Sequence, residues 1–122
     1  MESRHSIFKS FKFAFEGVSV AFAKGRNFKI QLGIGIFAII FGLILNLSVV
    51  ELLDITLTIA IVLILELLNT AIESIVDMVS PEIQPKAKIA KDVSAAAVLI
   101  ASFAAVAVGA FIFLPKVLAL LF

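Results

Sequence analysis

Residues 52–79 read LLDITLTIAIVLILELLNTAIESIVDMV. From Ile55 to Leu65 this stretch is apolar and uncharged. At Glu66 its character changes, and Glu66, Asn69, Glu73 and Asp77 follow at offsets of 3, 7 and 11. At about 100° per residue those offsets fall within a sector of roughly 80° on a helix and climb about 16 Å along its axis. One polar stripe therefore rises along an otherwise apolar helix. A carboxylate at the centre of a bilayer costs on the order of 3 kcal/mol, so such a group is paired, hydrated, protonated or functional.

Two further apolar runs flank this helix. Residues 30–50 and 93–115 carry no charge, at 21 and 23 residues respectively. Each is long enough to cross a hydrocarbon core of about 30 Å as a helix. The spans are expected at 30–48, 54–79 and 93–120, within a single domain covering residues 1–122. Composition agrees: 62% of the 122 residues are hydrophobic and 16% charged, with mean hydropathy +1.20. That leaves too little polar surface for a soluble core and no length for a separate catalytic domain. The fold class is an all-α integral membrane protein, and any chemistry sits in or against the membrane.

Residues 3–24, SRHSIFKSFKFAFEGVSVAFAK, form the expected amphipathic surface helix. Lys9, Lys12, Glu16 and Ser19 share one face, and Phe8, Phe11, Phe15, Val18 and Phe22 share another. That apolar face either lies in the headgroup region or packs on the spans. No cleavable signal peptide is expected, because Lys9, Lys12, Glu16 and Lys24 interrupt any apolar core near the start. Cysteine is absent, which excludes disulfides and thiolate chemistry. The single histidine, His5, is expected in a solvated tail, so no multi-histidine metal site is possible.

Of the ten basic residues, six precede the first span (Arg4, Lys9, Lys12, Lys24, Arg26, Lys29) and three follow the second (Lys86, Lys88, Lys91). The last is Lys116, near the C-terminus. The positive-inside rule places the N-terminus and the 80–91 connection in the cytoplasm and the C-terminus outside. Pro81 and Pro85 are expected to break the chain there, with Asp92 or Ser94 opening the third helix. That helix is rich in small residues, as helix interfaces in lipid tend to be.

Three uses fit the acidic stripe: a proton or ion relay, a buried seam that fixes helix packing, and a phosphoryl-transfer site. The third needs hard oxygen ligands for Mg2+, cations for phosphate oxygens and a base for the attacking hydroxyl. The stripe and the lysines of the 86–91 segment supply all three at one depth. No P-loop motif is present. Lys86 and Lys88 are better explained by topology and headgroup contact than by catalysis.

The segments ELLNTAIESIVDMVSPE and AKIAKDVSAAAVLIAS, with FAFEG and RNFKIQ before them, resemble the small prokaryotic membrane kinases of the diacylglycerol and undecaprenol kinase family. The segment VSPEIQPKAKIAKDV looks more like the Gram-positive undecaprenol kinase branch. The resemblance implies a homotrimer of three-span protomers in the bacterial cell membrane that uses ATP and Mg2+ to phosphorylate a lipid alcohol. Undecaprenol is the expected substrate and diacylglycerol the alternative; a non-enzymatic transporter subunit or scaffold is the alternative of another class. No nucleic-acid partner is implied.

By the same resemblance Glu66 is the general base and Asn69 its catalytic neighbour. Glu73 is the Mg2+ carboxylate, and Asp77, Glu82, Gln84, Lys91 and Asp92 border the nucleotide. One position departs from the family pattern, which has a second metal carboxylate just before RNFKIQ. Here it is Gly25, which leaves Glu73 to be supplemented by Asp77 or water. The nearest acid in this region is Glu16.

Overall fold

Four helices account for nearly all of the computed structural model, which describes residues 6–122 apart from the Arg26 side chain. They are α1 (Ile7–Lys24), α2 (Arg26–Ile44), α3 (Val49–Val79) and α4 (Pro85–Leu121). No strand occurs among the described residues. The expected tail position of His5 lies outside them. Helices α3 and α4, of 31 and 37 residues, run about 46 and 55 Å, so both outrun a bilayer core of about 30 Å. Together with α2 they are long and apolar enough to cross a membrane. The chain is a multi-pass membrane protein with an amphipathic N-terminal helix.

The helices start and stop where local chemistry demands. Ser6 caps α1 by accepting the Lys9 N–H at 3.2 Å. At α3, Ser48 and Glu51 form a reciprocal capping box: Ser48 Oγ accepts the Glu51 N–H at 3.1 Å, and Glu51 Oε1 accepts the Ser48 N–H at 2.9 Å. Between α2 and α3 the backbone turns through Asn46, at φ 58°. The Leu47 N–H then donates to Gly42 O at 3.0 Å and the Asn46 N–H to Leu43 O at 3.2 Å. This six-to-one and five-to-two pair seals the helix end, with Leu47 buried against it.

Helices α3 and α4 begin ahead of the spans expected at 54–79 and 93–120, whereas α2 starts earlier than the expected 30–48 and ends short of it, at Ile44. The polar lead-in Arg26–Lys29 is the first turn of α2 rather than a loop. Pro85 does not break the chain but opens α4 at its first position, where its missing N–H leaves no intrahelical bond unmade. Lys86, Lys88 and Lys91 accordingly stand on helical turns. Pro115 lies inside α4 near its far end, a position that membrane helices tolerate.

Contact is greatest between α3 and α4, then between α2 and α3. The buried apolar set is small: Ala21, Phe28, Leu47, Ile55, Val62 and Val98. Phe37, Phe41 and Phe113 stack in series at 5.8 and 5.5 Å and tie α2 to α4. One turn beyond Phe113, Lys116 Nζ lies 3.5 Å from Glu51 Oε1. The phenylalanine face of α1 stays uncovered, with Phe8 86% and Phe15 71% exposed. Within the chain that face does not pack on the spans.

Candidate functional site

The stripe on α3 comes out as the helical period requires, and burial grades along it. Glu66 is 4% exposed, Asn69 and Glu73 are half-buried, and Asp77 reaches the surface. Together with Thr70 and Ser74 they form one wall of a cleft of about 290 Å³. The opposite wall is the corner between α1 and α2, contributed by Lys24, Gly25 and Asn27. Phe28, buried at this corner, and the Lys29 ammonium, 5.3 Å from the Phe22 ring centroid, set how the two helices meet.

Gly25 therefore faces the carboxylates, at the place where the family pattern has an acid. Its backbone explains why a side chain is difficult here. The Gly25 N–H donates to Ala21 O at 2.7 Å. A Cβ at Gly25 would stand 2.6 Å from that same carbonyl and 3.3 Å from Phe28 Cβ. A carboxylate at this position requires a different α1–α2 corner, not a simple substitution. Glu16 does not compensate: it is exposed on α1 and does not line the cleft.

Helix α4 does not line the cleft but bonds to two members of the stripe. Ser94, 8% exposed, donates its hydroxyl to Asn69 Oδ1 at 2.6 Å. That bond fixes the Asn69 amide and leaves its NH2 group free to donate. Three residues earlier, on the same face, Lys91 Nζ sits 2.5 Å from Asp77 Oδ1. Its neighbour Asp92 is drawn away, to Lys88 Nζ at 2.6 Å. With side chains 70% and 62% exposed, that second pair contributes little to stability.

Of the residues named from sequence, Glu66, Asn69, Glu73 and Asp77 line the cleft, and Lys91 joins it through Asp77. Asp92 does not, because adjacent residues on a helix point about 100° apart. Glu82 and Gln84 also stay outside the cleft. Both are exposed; Ser80 Oγ donates to Glu82 O at 2.9 Å, and Gln84 is the N-cap of α4 without a side-chain bond.

Three polar groups at the site were not singled out from sequence. Ser94 is read from sequence, with Asp92, only as an alternative start of the third helix; both lie inside α4, which Pro85 opens. Thr70 donates to Glu66 O at 3.1 Å, satisfying its hydroxyl within α3. Gln31, from α2, is half-buried, and its Oε1 lacks a hydrogen-bond partner. Glu66 Oε1 is buried and lacks a hydrogen-bond partner. An orphaned buried acceptor costs about 1–3 kcal/mol, which a donor arriving from outside the chain relieves.

Comparison with known proteins identifies the family. Residues 12–113 match the family described as prokaryotic diacylglycerol kinase. A relative from Synechocystis sp., named diacylglycerol kinase, is 47% identical over 113 residues, covering 92% of this chain and 65% of its own length. One from Bacillus subtilis, named undecaprenol kinase, is 39% identical over 109 residues, 89% of each chain. The chain thus spans just under two thirds of the first relative and most of the second. It belongs to the prokaryotic diacylglycerol kinase family, membrane lipid kinases that take their phosphoryl group from ATP.

Proposed function

We propose that this protein transfers the γ-phosphoryl group of ATP to a membrane lipid alcohol, undecaprenol above all, giving undecaprenyl phosphate and ADP. The observation that carries the reading is the buried, unpartnered Glu66 carboxylate oxygen at the inner end of an acid-lined cleft. Glu66 is the general base. It accepts the hydroxyl proton as the lipid oxygen attacks the γ-phosphorus and the bond to the bridging oxygen of ADP breaks. Asn69, its amide held by Ser94, directs its NH2 group at the hydroxyl or a phosphate oxygen. Lys91 exchanges its ion pair with Asp77 for the phosphate oxygens.

The donor set suits Mg2+ shared with ATP. Among the described residues no three acids or histidines are grouped closely enough to hold a metal alone. Mg2+ characteristically uses one or two protein carboxylates and completes its shell with phosphates and water. Glu73 is the carboxylate for it, with Asp77 as supplement where Gly25 offers none. Bound there, Mg2+ neutralises charge on the β- and γ-phosphates.

Charge bias supports an N-terminus and an 80–91 connection on the cytoplasmic side, where ATP is found, and a C-terminus outside. A homotrimer would cover much of the exposed apolar surface of α2 and α4. Diacylglycerol is the second reading, favoured by the 47% identity to the Synechocystis relative of that name. A transporter or scaffold role would use the same stripe without turnover, and membership of a kinase family weighs against it. Purified protein given ATP with undecaprenol or with diacylglycerol, the lipid phosphate being measured in each, tests the proposal. Turnover with undecaprenol at the higher kcat/KM supports it; preference for diacylglycerol replaces the substrate, and turnover of neither lipid overturns the activity.

A further inference from the structure

The cleft wall that faces the acidic stripe carries a charge of its own. Lys24, in the last turn of α1, lines that wall beside Gly25 and Asn27. A lysine in a last helical turn complements the helix dipole, which accounts for its place on α1 but not for what it faces. What it faces is acidic: Glu66, Glu73 and Asp77 line the same cleft. Among the described residues Lys24 nevertheless forms no ion pair with any of them, and Asp77 pairs with Lys91 of α4 instead.

The surroundings of Lys24 leave its charge uncommitted. Lys29, from the same corner, lies 5.3 Å from the Phe22 ring centroid and does not line the cleft. Helix α2 starts at Gly25 with no side-chain cap and no acid in its first turn. Lys24 itself is exposed, so its ammonium can move within the mouth of the cleft on a flexible four-carbon stem. The walls are therefore opposite in sign, acids on α3 and an unpaired ammonium on α1. A polyanion bound together with a divalent cation matches both. The carboxylates suit the cation, and the ammonium suits phosphate oxygens.

We propose that Lys24 is a phosphate-binding residue for the nucleotide, holding triphosphate oxygens from the α1–α2 wall while Lys91 holds them from α4. It takes part in no bond making or breaking; it supplies positive charge and N–H donors where the phosphates carry negative charge. The glycine beside it then has a consequence for binding. With no carboxylate at residue 25, no acid on its own wall draws the ammonium away from the ligand. This assignment rests on the cleft being the ATP site, and the test separates the two.

Binding of ATP to the purified protein in detergent, measured by calorimetry with Mg2+ and without lipid, reads the contact directly. Lys24→Met keeps most of the stem and removes the charge. Its Kd for ATP rises about tenfold, the loss of one charge-assisted hydrogen bond. Tripolyphosphate, which has the phosphates without base or sugar, competes with ATP about tenfold less well on the variant. In the kinase assay KM for ATP rises by the same factor, while KM for the lipid alcohol stays where it was. Lys24→Arg, which keeps the charge, restores most of the affinity. An ATP Kd unchanged in Lys24→Met overturns the assignment. So does a loss that Lys24→Arg fails to restore, or one that leaves tripolyphosphate competition unmoved. Each of these leaves the kinase reading intact, whereas wild-type protein that binds no ATP removes the nucleotide site and this assignment with it.

Discussion

The two cavities along α3 share one helix and nearly one face, yet their chemistry is opposite. Below Val62 a groove of about 520 Å³ between α2, α3 and α4 is lined mostly by aliphatic and aromatic side chains; above it six polar side chains of α3 line the cleft within about three turns. The difference teaches where a reaction between a water-soluble nucleotide and a membrane lipid has to sit. In the proposed reaction the nucleotide takes the polar half, and Glu66 stands at its inner boundary. The charged side chains also follow this division. Lys91 pairs with Asp77 at the polar end and Lys116 with Glu51 at the far end, and among the described residues no ion pair is formed between them along α3.

Breaking the boundary has the largest expected effect. Glu66→Gln preserves shape and removes the base, so kcat falls at least about 100-fold while ATP binding persists, measured by lipid phosphate formation and nucleotide titration. Glu73→Ala is next. The Mg2+ concentration for half-maximal activity rises about tenfold, and an unchanged Mg2+ titration removes Glu73 as a ligand. Lys91→Met takes the cation from the polar end and raises KM for ATP by roughly five- to tenfold, with lipid KM unchanged.

Smaller effects sharpen the comparison by testing supports rather than reacting groups. Ser94→Ala frees the Asn69 amide and lowers kcat about threefold; Ser94→Thr, which keeps the hydroxyl, should recover activity if the bond rather than the packing matters. At the far end, Ser48→Ala removes the capping box of α3. Stability falls by about 1 kcal/mol in a thermal or denaturant melt in detergent, and activity of the folded fraction is unchanged. A loss of activity there would show that the two ends of α3 are coupled.

The stripe was legible because Glu66, Asn69, Glu73 and Asp77 all lie on one helix, and the helical period alone fixes their relative directions. The three spans were legible for the same local reason, since an uncharged run of 21 or 23 residues has few alternatives. Helix limits were less so. Pro85 can stop a helix or start one, and the difference depends on whether the preceding residues turn, as 80–84 do. Lys91 and Asp92 illustrate the limit within a single motif: as neighbours they looked like one unit, and the helix sends them to different partners.

By itself, then, the sequence determined an all-helical membrane protein with its acids in one column and its bases gathered on one side, because hydrophobic length, helical period and charge bias are properties of contiguous chain. Only the tertiary structure decided what faces that column: the α1–α2 corner that brings Gly25 and Asn27 opposite the carboxylates, and the Ser94 hydroxyl on Asn69. Those contacts join residues far apart in sequence. They depend on how helices cross and on which small side chains let them approach, and no local periodicity encodes that.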